Sequence, residues 1–279
     1  MAHKSRPSLK SHLSSDPGPL TKAAMVLGII CIIGIIGGLA TYSSFFNERV
    51  VVDNKTGCPK DGPYSRTVIL IDQTDTFSPV QAIDIQNQFE KYKKSVPRYG
   101  ELVIYAMRQG TKNTLKPLIR ACNPGTKDDI NQLIESSNKI SRQWTVSFDE
   151  PVRKVLKDAL QPMSSKNSPI IETMQAVVVS EFGPVYMNNK DKKKLVIISD
   201  LLQHSKVLSH YKPNYDVDKF IQSQKFNKLT ADLRDVEVDF LYLLRNTQKA
   251  HQNNKHRDFW RGLIGVQGGK VGRYYQVSG

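Results

Sequence analysis

Two short runs constrain this chain more than any other feature, because each is apolar without interruption and each ends in an aspartate. Val68-Ile69-Leu70-Ile71 leads into Asp72, and Leu195-Val196-Ile197-Ile198 leads into Ser199 and Asp200. A strand with no polar alternation is covered on both faces, as the central strands of a parallel sheet are. Both aspartates therefore lie at the carboxyl ends of buried strands, where open α/β sheets place their ligands.

The turn after the first run reads Asp72-Gln73-Thr74-Asp75-Thr76, and a helix start follows at once. Ser78 is a hydroxyl N-cap, Pro79 suits the first helical position, and Gln81 completes a capping box. Asp72, Thr74 and Thr76 thus offer a carboxylate and two hydroxyls to one crevice. This hard, all-oxygen donor set suits Mg²⁺, Mn²⁺ or Ca²⁺ better than zinc. The plainer alternative is that the threonines only satisfy turn hydrogen bonds.

Ala23–Phe46 carries no charged residue, and its centre from Met25 to Ala40 is almost all Val, Ile, Leu, Gly and Ala. Such a helix crosses a bilayer core of about 30 Å. A cleaved signal peptide ending near Gly38-Leu39-Ala40 is the competing reading, but the apolar stretch exceeds the roughly 7 to 15 residues of a signal core. Lys4, Arg6, Lys10 and Lys22 against Asp16 give the preceding tail a net charge of +3. That bias predicts a cytoplasmic N-terminus and an extracytoplasmic domain. The design suits a bacterial inner-membrane protein facing the periplasm, with a eukaryotic signal anchor as the alternative. Gly34 and Gly38 form a small-xxx-small pair by which two anchors would dimerise. The resulting organisation is a tail over 1–22, a membrane anchor over 23–42, a polar stalk over 43–65 and one domain over 66–279.

Removing the tail's +3 from the formal +14 of the 279 residues leaves about +11 on the rest, which favours anionic partners or a solvated basic face. Nucleic acid is not expected, since no stretch interleaves aromatics with Arg and Lys. Cys31 lies in the anchor. Cys58 and Cys122 form an even pair that an oxidising compartment would join as a disulfide, with two free thiols as the reading for the opposite topology.

Patterning along the domain predicts a helix over 79–95, a strand over 101–107 and an edge strand over 114–120 containing Pro117. A helix opens at Thr126 and is interrupted near Pro151, and another starts at Ser168-Pro169 with the same cap signal as Ser78-Pro79. Further expectations are a helix over 229–235, a strand over 236–244, a helix over 258–264 capped by Gly265, and a last strand over 273–277. Alternation of strand and helix implies a doubly wound, mainly parallel, Rossmann-like sheet flanked by helices, preceded by one transmembrane helix.

This pattern resembles a von Willebrand factor A domain, whose metal-ion-dependent adhesion site reads D-x-S-x-S, then a hydroxyl on a second loop, then an aspartate after a later strand. Asp72, Thr74 and Thr76 match the first motif with threonine in place of serine, and Asp200 matches the last aspartate. Ser168 is in the place of the second-loop hydroxyl, with Ser165 and Thr126 as alternatives. The glycine that often follows the last aspartate is Leu201 here. The resemblance implies a Mg²⁺ site (or Mn²⁺ or Ca²⁺) of Asp72, Thr74, Thr76, Ser168 and Asp200. It also implies a protein partner that completes the coordination with an acidic side chain. Asp75, between the two threonines, would either add a third charge or face solvent.

Two other classes compete with that reading. A haloacid dehalogenase-type phosphatase also ends its first strand in aspartate, but it needs a second aspartate where Thr74 stands, and His204 is the only imaginable base nearby. No Ser-His-Asp order, Walker loop or zinc spacing is visible. A non-enzymatic role follows. A metal-free structural module acting through its basic surface is the remaining alternative.

Overall fold

The computed structural model describes residues 18–46, 50–53, 55–74, 76–108, 115–130, 136–161, 163, 165–183 and 192–277. The chain divides into two compact units, Met1–Val50 and Val51–Gly279. In the first, helix α1 spans Pro19–Phe46. Its Pro19–Tyr42 segment is long and apolar enough to cross a membrane, and none of it is buried by the rest of the protein. That length and composition fit a membrane anchor.

The second unit runs β1 (Ser65–Asp72), α2 (Pro79–Ser95), β2 (Glu101–Met107), β3 (Ile119–Cys122), α3 (Ser137–Trp144), α4 (Glu150–Ala159) and α5 (Ile170–Phe182). It continues with β4 (Lys192–Ser199), α6 (Val217–Ile221), α7 (Gln224–Asn227), β5 (Val236–Leu243), α8 (Asn254–Val266) and β6 (Lys270–Val277). The six strands lie in the order β3-β2-β1-β4-β5-β6. All pairings are parallel except β2 with β3. The chain leaves β1 toward β2 and returns to β4 on the other side, so the sheet switches direction between β1 and β4. A doubly wound sheet opens its ligand crevice at that point.

The strands are apolar on both faces because helices cover both. Val68 and Leu70 of β1 join Leu195, Ile197, Val238 and Phe240 in a core closed by Met174, Val177 and Val178 of α5 and by Trp260 and Leu263 of α8. Ile69 and Ile71 join Ile104, Val196, Ile198 and Leu241 in a second core under Ile85 and Phe89 of α2 and Val152 and Leu156 of α4. Each such side chain contributes about 1.5–3 kcal/mol by leaving water.

Several sequence expectations are corrected here. The polar stalk is not free to Ser65. From Val51 the chain belongs to the domain, with Lys60 N–H bonded to the Val51 carbonyl and Cys122 N–H to that of Thr56. The helix that carries the anchor continues past Tyr42 to Phe46.

The edge strand begins at Ile119, beyond Pro117, because proline has no N–H for the ladder. Thr126 caps only a three-residue 3₁₀ turn, Lys127–Asp129. Leu133 and Ile134 of that helical pattern lie outside the described residues. Pro151 does not break the helix. A π turn over Thr145–Asp149 joins α3 to α4, and Pro151 sits in the first turn of α4, where a missing N–H costs little.

Residues 229–235 are not a helix. Leu233 N–H bonds to the Gln267 carbonyl and Asp235 has φ of 63°, so Leu233 reaches the core from an extended segment. Gly265 is inside α8. The left-handed glycine past the helix end is Gly268, with φ of 83°, and its N–H closes on the Gly265 carbonyl at 3.0 Å.

Candidate metal centre

Parallel pairing of Ile71 with Ile198 sets the ends of β1 and β4 side by side. Asp72 and Asp200 are each nearly fully buried there, at 4% and 2% exposure. An ionised carboxylate is held so far from water only by full hydrogen bonding or by a cation.

Asp72 is supplied by three hydroxyls and a backbone amide. Its Oδ1 accepts from Thr74 N at 2.9 Å and from Thr74 Oγ1 at 2.6 Å. Its Oδ2 accepts from Ser199 Oγ at 2.7 Å and from Ser168 Oγ at 3.3 Å. Thr74 and Ser168 are therefore brought to the carboxylate. Thr76 is exposed, and its backbone carbonyl is what ties it to the crevice. Asp75 lies outside the described residues.

The second loop is fixed by backbone pairing. Ser165 N–H bonds to the Thr74 carbonyl at 2.8 Å, and Ser168 exchanges two hydrogen bonds of 2.9 Å with His204. This pairing explains why Ser168 does not cap α5 as its sequence signature suggests. That helix has Pro169 as N-cap and no side-chain cap, because the Ser168 hydroxyl is turned to Asp72. Among the other hydroxyls considered, that of Ser165 donates to the Asn167 carbonyl and that of Thr126 donates to Asp129.

Asp200 is held differently. Its Oδ1 accepts from Leu202 N at 2.9 Å, and its Oδ2 pairs with Arg245 Nε at 3.1 Å. Arg245 NH1 also donates to the Thr76 carbonyl, so one guanidinium spans the two aspartate loops. Leu201, in the place of the usual glycine, keeps the glycine conformation with φ of 60°. That conformation costs a branched residue about 1–2 kcal/mol. Its carbonyl is held by Trp260 Nε1 at 3.0 Å and His256 Nε2 at 2.9 Å, and its side chain is fully buried. The loop shape thus survives the loss of glycine because the surrounding core over-determines it.

His256 and its neighbour His210 are buried beneath this loop, with ring centroids 4.6 Å apart. Burial first, then mutual repulsion, holds His210 well below the usual imidazole range. Burial likewise lowers His256 to about 4. Both are neutral near pH 7. His204 is a structural group: its ring nitrogen lies 2.9 Å from Ser209 Oγ and the ring meets Tyr211 edge-on.

The donors suit a hard divalent ion. Asp72, Thr74 and Ser168 converge with oxygen alone; among the described residues no group of three or more His, Cys, Asp or Glu could hold a metal ion of any kind, so hydroxyls have to supply part of the donor set. Sequence reasoning missed three members. Ser199 was visible as a strand-end hydroxyl, but Arg245 and Gln252 carry no local signal.

At the other end of the strands, Cys58 and Cys122 form a disulfide with Cα atoms 4.8 Å apart. Beside it, Arg66 bonds to Glu101 at 2.7 Å and Arg120 bridges Glu101 and Glu181 at 2.8 and 2.7 Å. This buried network ties β1, β2 and β3 to α5.

No family model matches the sequence, and a search of curated proteins found no match. Solved structures with a similar backbone include proximal thread matrix protein 1 from the mussel byssus, at 12% identity, TM-score 0.39, over 74% of this chain and 48% of that one. This chain therefore spans about half the length of the mussel protein, one structure of which has a zinc-occupied MIDAS motif. Others are the conserved hypothetical protein BatB from Bacteroides thetaiotaomicron, at 9% identity, TM-score 0.39, over 77% of this chain and 90% of that one, and an aerotolerance-related membrane protein from Bacteroides fragilis, at 9% identity, TM-score 0.36, over 77% and 92%. Scores this low carry no function across. What the domain itself shows is a six-stranded, mainly parallel sheet with Asp72 and Asp200 at the neighbouring ends of β1 and β4, the arrangement expected from its resemblance to von Willebrand factor A domains.

Proposed function

We propose that the domain is a membrane-anchored protein-binding module, with no catalytic role, and that its contact point is a divalent cation held in the Asp72–Asp200 crevice. The observation that carries this reading is the convergence of the Thr74 and Ser168 hydroxyls on the buried Asp72 carboxylate, at the switch point of the sheet. Asp72, Thr74 and Ser168 would hold the ion, with Thr76 and Asp200 at its margin. When bound, Mg²⁺ or Mn²⁺ would supply two positive charges against the single Asp72 carboxylate that holds it directly, so an acidic side chain of a partner protein is favoured there. The chain's own residues do the rest. Ser199 orients Asp72, and the Leu201 turn holds Asp200 at the rim.

The tail side of α1 would face the cytoplasm and the domain the extracytoplasmic space, consistent with the charge bias around the anchor and with the disulfide. The test is thermal unfolding of the full chain in detergent micelles with millimolar Mn²⁺ or EDTA. Stabilisation by Mn²⁺ that is lost in Thr74→Val and Ser168→Ala supports the reading. Equal melting temperatures with Mn²⁺ and EDTA in the unsubstituted protein contradict it.

A further inference from the structure

We propose that Arg245 is a built-in counter-cation of the crevice, a guanidinium that holds Asp200 and the Thr76 loop together and that a divalent ion must displace to recruit Asp200. The inference rests on the metal reading above and concerns how that site is regulated.

Three observations carry it. First, the pairing is built rather than casual. Arg245 N–H donates to Gln252 Oε1 at 2.7 Å, and Gln252 Nε2 donates to the carbonyls of Asp200 at 3.0 Å and Leu243 at 2.8 Å. Gln81 of α2 bonds the Leu244 carbonyl at 3.0 Å, so the backbone that carries Arg245 is pinned to the Asp200 loop and to the first turn of α2. Second, the pair is sheltered, with side chains 17% and 2% exposed. Its charges are therefore less screened than those of a surface ion pair. Third, the guanidinium already engages the Asp200 carboxylate that a metal would have to recruit. It donates to Asp200 Oδ2 and to the Thr76 carbonyl, two oxygens on the two loops that frame the site.

A guanidinium does not lose its proton in a protein, so this charge is permanent and only movement of the side chain relieves it. A divalent ion drawing on both Asp72 and Asp200 would share the Asp200 carboxylate with that charge, and the repulsion would weaken binding until Arg245 swings away. Cation occupancy and the position of the loop after β5 are then coupled. With the ion absent, Arg245 ties the two loops together. With the ion present, Asp200 is released from the arginine and the loop from 244 to 253 is free to shift. Reciprocity requires that whatever draws Arg245 off Asp200, such as an acidic partner residue, also tightens cation binding.

The experiment is titration of Mn²⁺ into the full chain in detergent micelles, free ion being followed by its paramagnetic resonance signal, for the unsubstituted protein, Arg245→Gln and Arg245→Lys. Arg245→Gln removes the charge and is expected to bind Mn²⁺ at least tenfold more tightly, while melting at a lower temperature in EDTA. Arg245→Lys keeps the charge and is expected to retain the unsubstituted affinity. Unchanged or weaker binding by folded Arg245→Gln overturns the proposal and leaves the metal reading standing. Absence of binding in both proteins overturns the two together. A second measurement needs no charge-removing variant. The Arg245 Nε–H resonance, identified by its loss in Arg245→Lys, is expected to shift on saturation of the unsubstituted protein with Mg²⁺, and an unmoved resonance overturns the proposal.

Discussion

The hydroxyl of Ser199 stands 2.7 Å from Asp72 Oδ2 and 2.8 Å from the amide of Leu201. One buried serine thereby links the carboxylate that ends β1 to the turn that follows β4. Loss of such a hydroxyl leaves a buried donor and a buried acceptor short of a partner, which costs about 1–3 kcal/mol. Ser199→Ala is expected to lower stability by that amount. In a domain of this size each kcal/mol lowers the melting temperature by about 2–4 °C, so a scan of the full chain checks it, and an unchanged transition would sink the assignment.

Leu201 sets two effects against each other. Glycine would relieve the left-handed backbone by about 1–2 kcal/mol, yet it would also delete a fully buried leucine side chain, worth about 2–5 kcal/mol. Packing outweighs strain over nearly all of these ranges, so Leu201→Gly is expected to be less stable, by up to about 4 kcal/mol, despite restoring the residue common at this position. Denaturant unfolding decides it; a more stable variant would mean that backbone strain dominates.

The histidine pair beneath that turn makes stability depend on pH. His256 is held down to about 4 and burial also holds His210 well below the usual imidazole range, so both resist protonation when folded and accept it near 6.5 when unfolded. Stability is therefore complete above pH 6.5 and falls as pH drops, by about 1 kcal/mol for His256 at pH 5.5 and about 3 kcal/mol by pH 4, with His210 acting in the same direction. The groups facing the pair, Tyr215, Tyr242, His251 and Arg257, supply no carboxylate to offset the charge. Denaturant midpoints at pH 7.5 and 5.5 test this, and equal midpoints would contradict it.

The disulfide between Cys58 and Cys122 closes a separation of 64 residues. Loop-closure entropy assigns it about 4 kcal/mol. Reduction, or the Cys58→Ser and Cys122→Ser pair, is expected to lower stability by roughly that much in denaturant titrations, and indifference to reductant would show that the entry segment is held by its hydrogen bonds alone.

How much was legible in the sequence follows from how local each signal is. The helix Pro79–Ser95 is bounded as its cap and proline predict, with the Ser78–Gln81 capping box formed in both directions. The strands ending at Asp72 and Ser199 were equally plain, because an apolar run covered on both faces has no competing reading. Other features depended on what lies across the fold. Ser168 carries the same Ser-Pro signature as Ser78, and only its distance to Asp72 separates a ligand-site hydroxyl from a cap. Leu229 and Leu233 have helical spacing, but Gln267 claims the backbone between them. Arg245 lies 45 residues from Asp200 and 169 from Thr76, so nothing in its own neighbourhood announces the bridge. Gly265 and Gly268 both suit a helix end, and the backbone φ chose the second.

Calorimetric titration of Mg²⁺ and Mn²⁺ into the full chain in detergent micelles, with Asp72→Ala alongside, tests the central claim most directly. Saturable heat in the unsubstituted protein, absent from a folded Asp72→Ala, is the expected result. No heat from either ion at millimolar concentration, or the same heat from both proteins, would contradict a cation centre at Asp72.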